Sequence, residues 1–499
     1  MSRSTEVPVP TLTDIQRSVC AQHLDEAAFL WSQWETSLDS ARLTLGDLHD
    51  IDERRLLAHL DALVLGGSAV REEFLTPALA DTDPGLVTAA ALALLAPESA
   101  DDAPFHQVLE ALVVGGPAPR PWLQRALEVS ALPARVPAVR KLLEQEDPAL
   151  VATALEVLGF WGVEAGTELS PWLAHPAPEV ASAALRVARS TFGPVSPHLL
   201  ARALESPHPR VQDEALITGL VLGIEPTFTL ARCRQLAVLP EAPRRTALLL
   251  LAMGGETSDL RVVLEQLGRP EVMADALWAL GFSGRMEAAE ACLELLADPE
   301  SGGSAAEAFG AITGLALEGP FLLPGEQEED EEPARPAGPA LPRARPEAVR
   351  QWWRETAHRL EPRGRYLLGR PLKGEWLLES FEHVPLRRRH AMALEVALRS
   401  RGAHLVQTRA FSGLQRAQLH AARDSARRWN LESPFRTLST PWAAASRRPV
   451  PVPPAPPRLR PALPSSEALA VTGIGMVSAL GEDAAECCAA GRAGVLRIM

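Results

Sequence analysis

The stretch Asp147-Pro148-Ala149-Leu150-Val151-Ala152-Thr153-Ala154-Leu155 decides how this chain reads, because its plan recurs. An apolar residue, Leu150, follows a proline and is itself followed four and five positions later by Ala154-Leu155. The same spacing joins Val87 to Ala91-Leu92, Trp122 to Ala126-Leu127, Val180 to Ala184-Leu185 and Val211 to Ala215-Leu216. It returns from Pro243 to Ala247-Leu248, from Val272 to Ala276-Leu277 and from Ser304 to Ala308-Phe309. The leading positions recur at intervals of about 30 residues, and self-similarity at such a period marks a repeat architecture.

Positions i, i+4 and i+5 share one face of a helix, and alanine there lets helix axes approach closely. Pro148 and Pro270 fall in a first turn, where the missing N–H is not needed. Gly159, Gly219, Gly281 and Gly314 are expected to end helices in left-handed geometry. A second, shorter helix follows in each unit, for example over 286–296. Two helices in about 30 residues cannot bury their apolar face alone, so the units must stack. The predicted fold is all-α, a HEAT/armadillo-like α-solenoid of about eight units over 81–320. At roughly 10 Å per layer it would form a curved rod on the order of 80 Å long with an elongated groove. Residues 1–80 read as a helical cap, with Leu24, Ala27, Ala28 and Trp31 on one helical stripe and a second helix over 52–66.

Composition agrees with helices. Hydrophobic residues make up 46% and aromatics only 5%, with Tyr366 the single tyrosine, a balance that sheets would not favour. The five cysteines show no CxxC spacing, which suits a reducing compartment and argues against structural zinc. The N-terminus has no leader-like apolar region, and the longest apolar runs fall short of the roughly 18 residues a span needs. No membrane association and a cytoplasmic location are expected.

The net charge of −14 hides an asymmetry. Residues 334–460 hold 25 Lys and Arg against 9 Asp and Glu, so the body before them is strongly acidic. The basic residues fall mainly in a helical module over 347–445, with helices at 348–360, 386–400 and 412–429. An acidic, proline-rich linker (321–346) precedes it and a proline-rich linker (446–465) follows. The asymmetry implies a self-complementary contact between body and module, with an acidic partner or nucleic acid as the alternative. The candidate partner-binding residues are Arg387, Arg388, Arg389, Trp352, Trp353 and Arg365. The arginine triplet could grip phosphate or carboxylate, or be a solvated charge run opening a helix. The tryptophan pair could anchor the module or stack on bases.

Reactive motifs are missing from the text of the sequence. It contains no GxxxxGK[ST] loop, no GxSxG elbow and no HExxH, and none of its twelve histidines is followed by Glu. His175, His198 and His208 sit beside prolines at unit junctions, as caps or loop residues do. Gly473, Gly475 and Gly481 have the wrong spacing for a dinucleotide site. No catalytic residue, metal ligand or cofactor is therefore expected, and the chain reads as a non-enzyme. Residues 466–499 change character and look like a strand, a glycine turn and a helix start.

Two resemblances follow. His23–Trp31, Glu53–Leu63, Arg365–Leu372 and Arg387–Leu398 are similar to stretches of a family of uncharacterised bacterial HEAT-repeat proteins encoded near type VI secretion clusters. The likeness covers about residues 15–418. It implies a protein partner, a secretion spike, an effector or a ketoacyl-synthase-like protein, and it supplies no catalytic residues. In the tail, Ala468–Leu496, with VTGIGMVSALG at 471–481, resembles the opening of β-ketoacyl synthases. That family's cysteine nucleophile and two histidines lie far downstream of such an opening, and neither Cys487 nor Cys488 matches them, so no condensing activity is implied. Together these readings make the chain an interaction scaffold, with nucleic-acid binding through the basic module as the alternative.

Overall fold

A computed structural model describes residues 12–96, 102–130, 133–239, 244–254, 256–323 and 341–438. Thr13 opens the first helix, α1 (Asp14–Ser37), through a capping box with Gln16. The stripe Leu24, Ala27, Ala28 and Trp31 is buried against α2 (Arg54–Leu65) and the first repeat. Between α1 and α2, His23 Nδ1 and His59 Nδ1 lie 2.9 Å apart. Burial and the neighbouring ring push His23 down to about 4, and burial beside Arg55 pushes His59 down equally, to about 4.

Eight helices follow at the eight counted positions. They are α3 (Pro84–Leu94), α4 (Arg120–Ser130), α5 (Pro148–Trp161), α6 (Pro178–Thr191), α7 (Pro209–Leu222), α8 (Arg244–Met253), α9 (Pro270–Ser283) and α10 (Gly302–Thr313). Each stacks on the next, and shorter helices such as Met286–Glu294 form a second layer beside them. Ala154, Ala184, Ala215, Ala247 and Ala276 are wholly buried in the stack. The chain is an all-α helical-repeat solenoid.

Three of the four glycines expected at helix ends are placed otherwise. Gly159, Gly219 and Gly281 lie inside α5, α7 and α9, while the left-handed caps are Gly162, Gly223, Gly284 and, as expected, Gly314. The interior glycines make room for neighbours. A Cβ on Gly159 would meet Val187 at 3.3 Å, and one on Gly281 would meet the Ala308 backbone at 3.1 Å.

The C-terminal module comprises α11 (Pro346–Thr356), α12 (Gly374–Glu379), α13 (Leu386–Arg399) and α14 (Ser412–Ala426). It also holds an antiparallel hairpin of Tyr366–Leu367 with Arg370–Pro371, whereas the sequence places β character only in the tail. The 321–346 segment does not space the module away from the repeats. The Leu323 N–H donates to Arg343 O at 3.0 Å and the Arg345 N–H to Phe321 O at 2.7 Å, so the chain leaves and returns at one point. Residues 324–340, the proline-rich 446–465 linker and the 466–499 tail lie outside the described residues.

Between Leu386 and Ser412 the chain passes the repeat helices in reverse order. Arg388 meets α9, Arg399 meets α8, Arg401 meets α7, Gln407 meets α5 and Arg409 meets Arg125 of α4. Ser412 then returns to the cap, where its N–H donates to Glu53 at 2.8 Å. The two ends of the arc come together at Arg387. Its N–H donates to Ser40 O at 3.0 Å, and its guanidinium stands 3.3 Å from Glu307 on α10. A straight stack of eight layers would hold such points on the order of 80 Å apart. The expected open rod is thus corrected: the solenoid curls around its own module. Among the described residues no helix is long and apolar enough to cross a membrane.

The histidine pair makes the fold acid-sensitive. Both imidazoles titrate near 4 when folded, against 6.5 for an ordinary ring, so the unfolded chain binds more protons between those values. Stability should be intact above pH 6.5 and decline as pH falls toward 4. Denaturation midpoints measured across that range check this, and a His59→Gln variant should show a shallower decline.

Candidate partner-binding site

The last carbonyls of an α-helix have no partner within it. In this chain the C-terminal ends of α5 and of α7 to α10 face the module, which supplies the donors. At α9, Arg365 Nε donates to Ser283 O at 2.8 Å and its Nη2 to Phe282 O at 2.9 Å. Arg388 Nη2 donates to Gly281 O at 2.9 Å, and the Tyr366 N–H to Gly284 O at 2.7 Å. At α10, the backbone N–H groups of Leu368 and Gly369 donate to Ala311 O and Ile312 O. At α8, Arg399 Nη2 donates to Met253 O at 3.0 Å and the Phe435 N–H to Gly254 O. At α7, Arg401 Nη1 donates to Leu220 O at 2.9 Å, and at α5 Gln407 Nε2 donates to Phe160 O at 3.1 Å. Arginine suits this role because its five donors stay charged, and a cation is favoured at a helix C-terminus.

One carboxylate neutralises part of this buried charge. Glu395 receives Arg365 in a two-pronged contact at 2.7 and 3.2 Å and Arg399 at 3.2 Å, with all three side chains buried. Burial pushes the Glu395 carboxyl up, but the two guanidiniums outweigh it and hold the group below the usual carboxylate range. Burial lowers Arg399 and Arg389 to about 10, which leaves both protonated at neutral pH.

The residues singled out from the sequence therefore face inward. Arg365, Arg388, Arg389 and Trp353 are buried, while Arg387 and Trp352 are half-buried. Arg389 donates to Phe381 O and Gln415 on the module's own side. Arg387 and Arg388 lie over the Trp278 ring and beside Glu307. The triplet is neither a solvated charge run nor an exposed grip: Arg387 and Arg388 form the seam, and Arg389 is buried within the module. Trp352 and Trp353 pack edge-on against Phe309 of α10. There α11 covers the last repeat, as a terminal cap must. These six residues are not a patch open to a partner.

A second charged constellation escaped the sequence reading. Arg186 on α6 joins Glu156 on α5 and Glu214 on α7, both at 2.7 Å; Arg189 also meets Glu214 and Arg210 meets Glu156. Glu128, Glu156 and Arg186 each stand six positions after a unit's leading residue, a recurrence that could have revealed the ladder. Burial would lower Arg186, yet the two carboxylates outweigh it and raise the group, so the ladder stays charged and paired. Its neighbour Asp213 is pushed up to about 6 by burial. Among the described residues no group of three or more His, Cys, Asp or Glu is placed to hold a metal ion.

Comparison with known proteins adds little. No family model matches the chain, and no curated protein matches it. A solved structure described as an engineered protein is similar over 60% of this chain and 96% of its own length, at 18% identity and a TM-score of 0.28. A likeness that slight carries no argument.

The buried trio sets the expected mutational response. Glu395→Ala leaves two buried guanidiniums without their carboxylate and should destabilise the chain by about 3–5 kcal/mol. Denaturant titration of the full chain checks this. Arg427→Ala, which breaks the exposed Arg427–Glu375 pair, should leave the midpoint almost unchanged.

Proposed function

We propose that this chain is a non-catalytic scaffold for protein partners, working in the cytoplasm as an accessory to a type VI secretion apparatus. One observation carries the binding role. Leu65 at the end of the cap helix α2, and Val113, Val114, Phe228, Val238 and Leu239 on or at the ends of the second-layer helices Ala103–Val114 and Pro226–Val238, are exposed large apolar side chains. Exposed apolar surface of that kind on a rigid frame is what a protein interface uses. The groove is filled from within, so the partner's surface is the cap and second layer rather than the arc's interior. The partner class, a spike, an effector or a ketoacyl-synthase-like protein, rests on the resemblance of the four stretches quoted above. Nucleic-acid binding is the weaker reading, because much of the module's positive charge is already engaged with helix carbonyls and Glu395.

Co-purification of the full chain from its native cell tests this. Wild type should recover a secretion spike, effector or ketoacyl-synthase-like protein, and a Leu65→Asp/Val114→Asp variant should lose it while keeping its fold. Recovery of no such partner, or equal recovery by the variant, would overturn the proposal.

A further inference from the structure

Away from the seam, α12 and the turn after it run antiparallel to α14. Glu375 pairs with Arg427 at 2.8 Å, and Glu382 pairs with Arg416 at 3.2 Å. The first wall carries Glu375, Glu379 and Glu382, spaced i, i+4, i+7. The second carries Arg416, His420, Arg423 and Arg427, spaced i, i+4, i+7, i+11. Each set falls on one helix face. Between the walls lies a cleft of about 520 Å³ floored by Leu378 and Leu419, within the size range of small-ligand pockets.

The two ion pairs stand at the ends of the cleft, about 10 Å apart along the first wall and about 16 Å apart along the second by helix rise. The centre is different. Within the described residues no side-chain hydrogen bond or ion pair engages Glu379, His420 or Arg423, which line the same cleft from its two walls. Glu375 and Glu382 are already paired with Arg427 and Arg416, which leaves the Glu379 carboxylate on one wall and the Arg423 guanidinium on the other. A ligand carrying both signs can engage the two together. We infer that this cleft binds a small zwitterion with an apolar side chain, an α-amino acid of the leucine type. Its ammonium group is placed on Glu379, its carboxylate on Arg423 and His420, and its side chain on Leu378 and Leu419. This site is independent of the scaffold surface.

Titration calorimetry on the full chain with L-leucine, N-acetyl-leucine and leucinamide tests the inference. The acetyl derivative lacks the ammonium group, and the amide, which stands for a chain N-terminus, lacks the carboxylate. Leucine should bind saturably and each derivative at least about tenfold more weakly, the loss expected for one charge-assisted hydrogen bond. Glu379→Gln and Arg423→Gln should each weaken leucine by a similar factor without shifting the melting midpoint, since both side chains are exposed. No saturable heat with leucine, equal binding of either derivative, or indifference to both substitutions would overturn it.

Discussion

Unpartnered carbonyls at the ends of parallel stacked helices are the constraint from which this structure follows. A solenoid of like-oriented helices presents one such end per unit along a common edge, and every end carries a partial negative charge. Left-handed glycines satisfy some of these carbonyls locally, at Gly162, Gly223 and Gly314. The module satisfies the others from outside, with Arg365, Arg388, Arg399 and Arg401 reaching α9, α8 and α7. Basic charge in the module and acidic charge in the body are thus two sides of one contact. Exposed pairs such as Arg409 with Asp39 and Arg436 with Glu256 continue it at the margins.

Closure changes what kind of solenoid this is. An open repeat array is close to a one-dimensional chain, each unit stabilised by its neighbours alone, so its ends fray independently. Here α13 and the segment after it, Leu386 to Ser412, touch the cap, the middle and the last repeats in one pass, which couples units far apart in sequence. The buried arginines are therefore structural.

Much of this was legible in the sequence, for a physical reason. Helical period, first-turn prolines and a cap box are local, so the eight units, α1 and the three long module helices could be read directly. The destination of a side chain is not local. Arg387, Arg388 and Arg389 sit consecutively on one helix, and nothing in their spacing says that a curled solenoid lies against the first two while the third is buried within the module. The interior glycines misled for the opposite reason: Gly159 and Gly162 both look like helix ends, and only the neighbouring helix, with Val187 at 3.3 Å, distinguishes room-making from capping. The α12–α14 cleft was missed because α12 is too short, at six residues, to have a periodic signal of its own.

The account stands on the meeting of the two ends of the arc at Arg387, and pulsed electron paramagnetic resonance measures that directly. Spin labels at Ala41, next to Ser40, and at Ser304, one turn from Glu307, bracket the junction. Closure gives a narrow distribution centred at roughly 20 Å, set by the reach of the single arginine between them. A separation approaching the length of an open eight-layer stack, on the order of 80 Å, or a broad distribution extending that far, would contradict it.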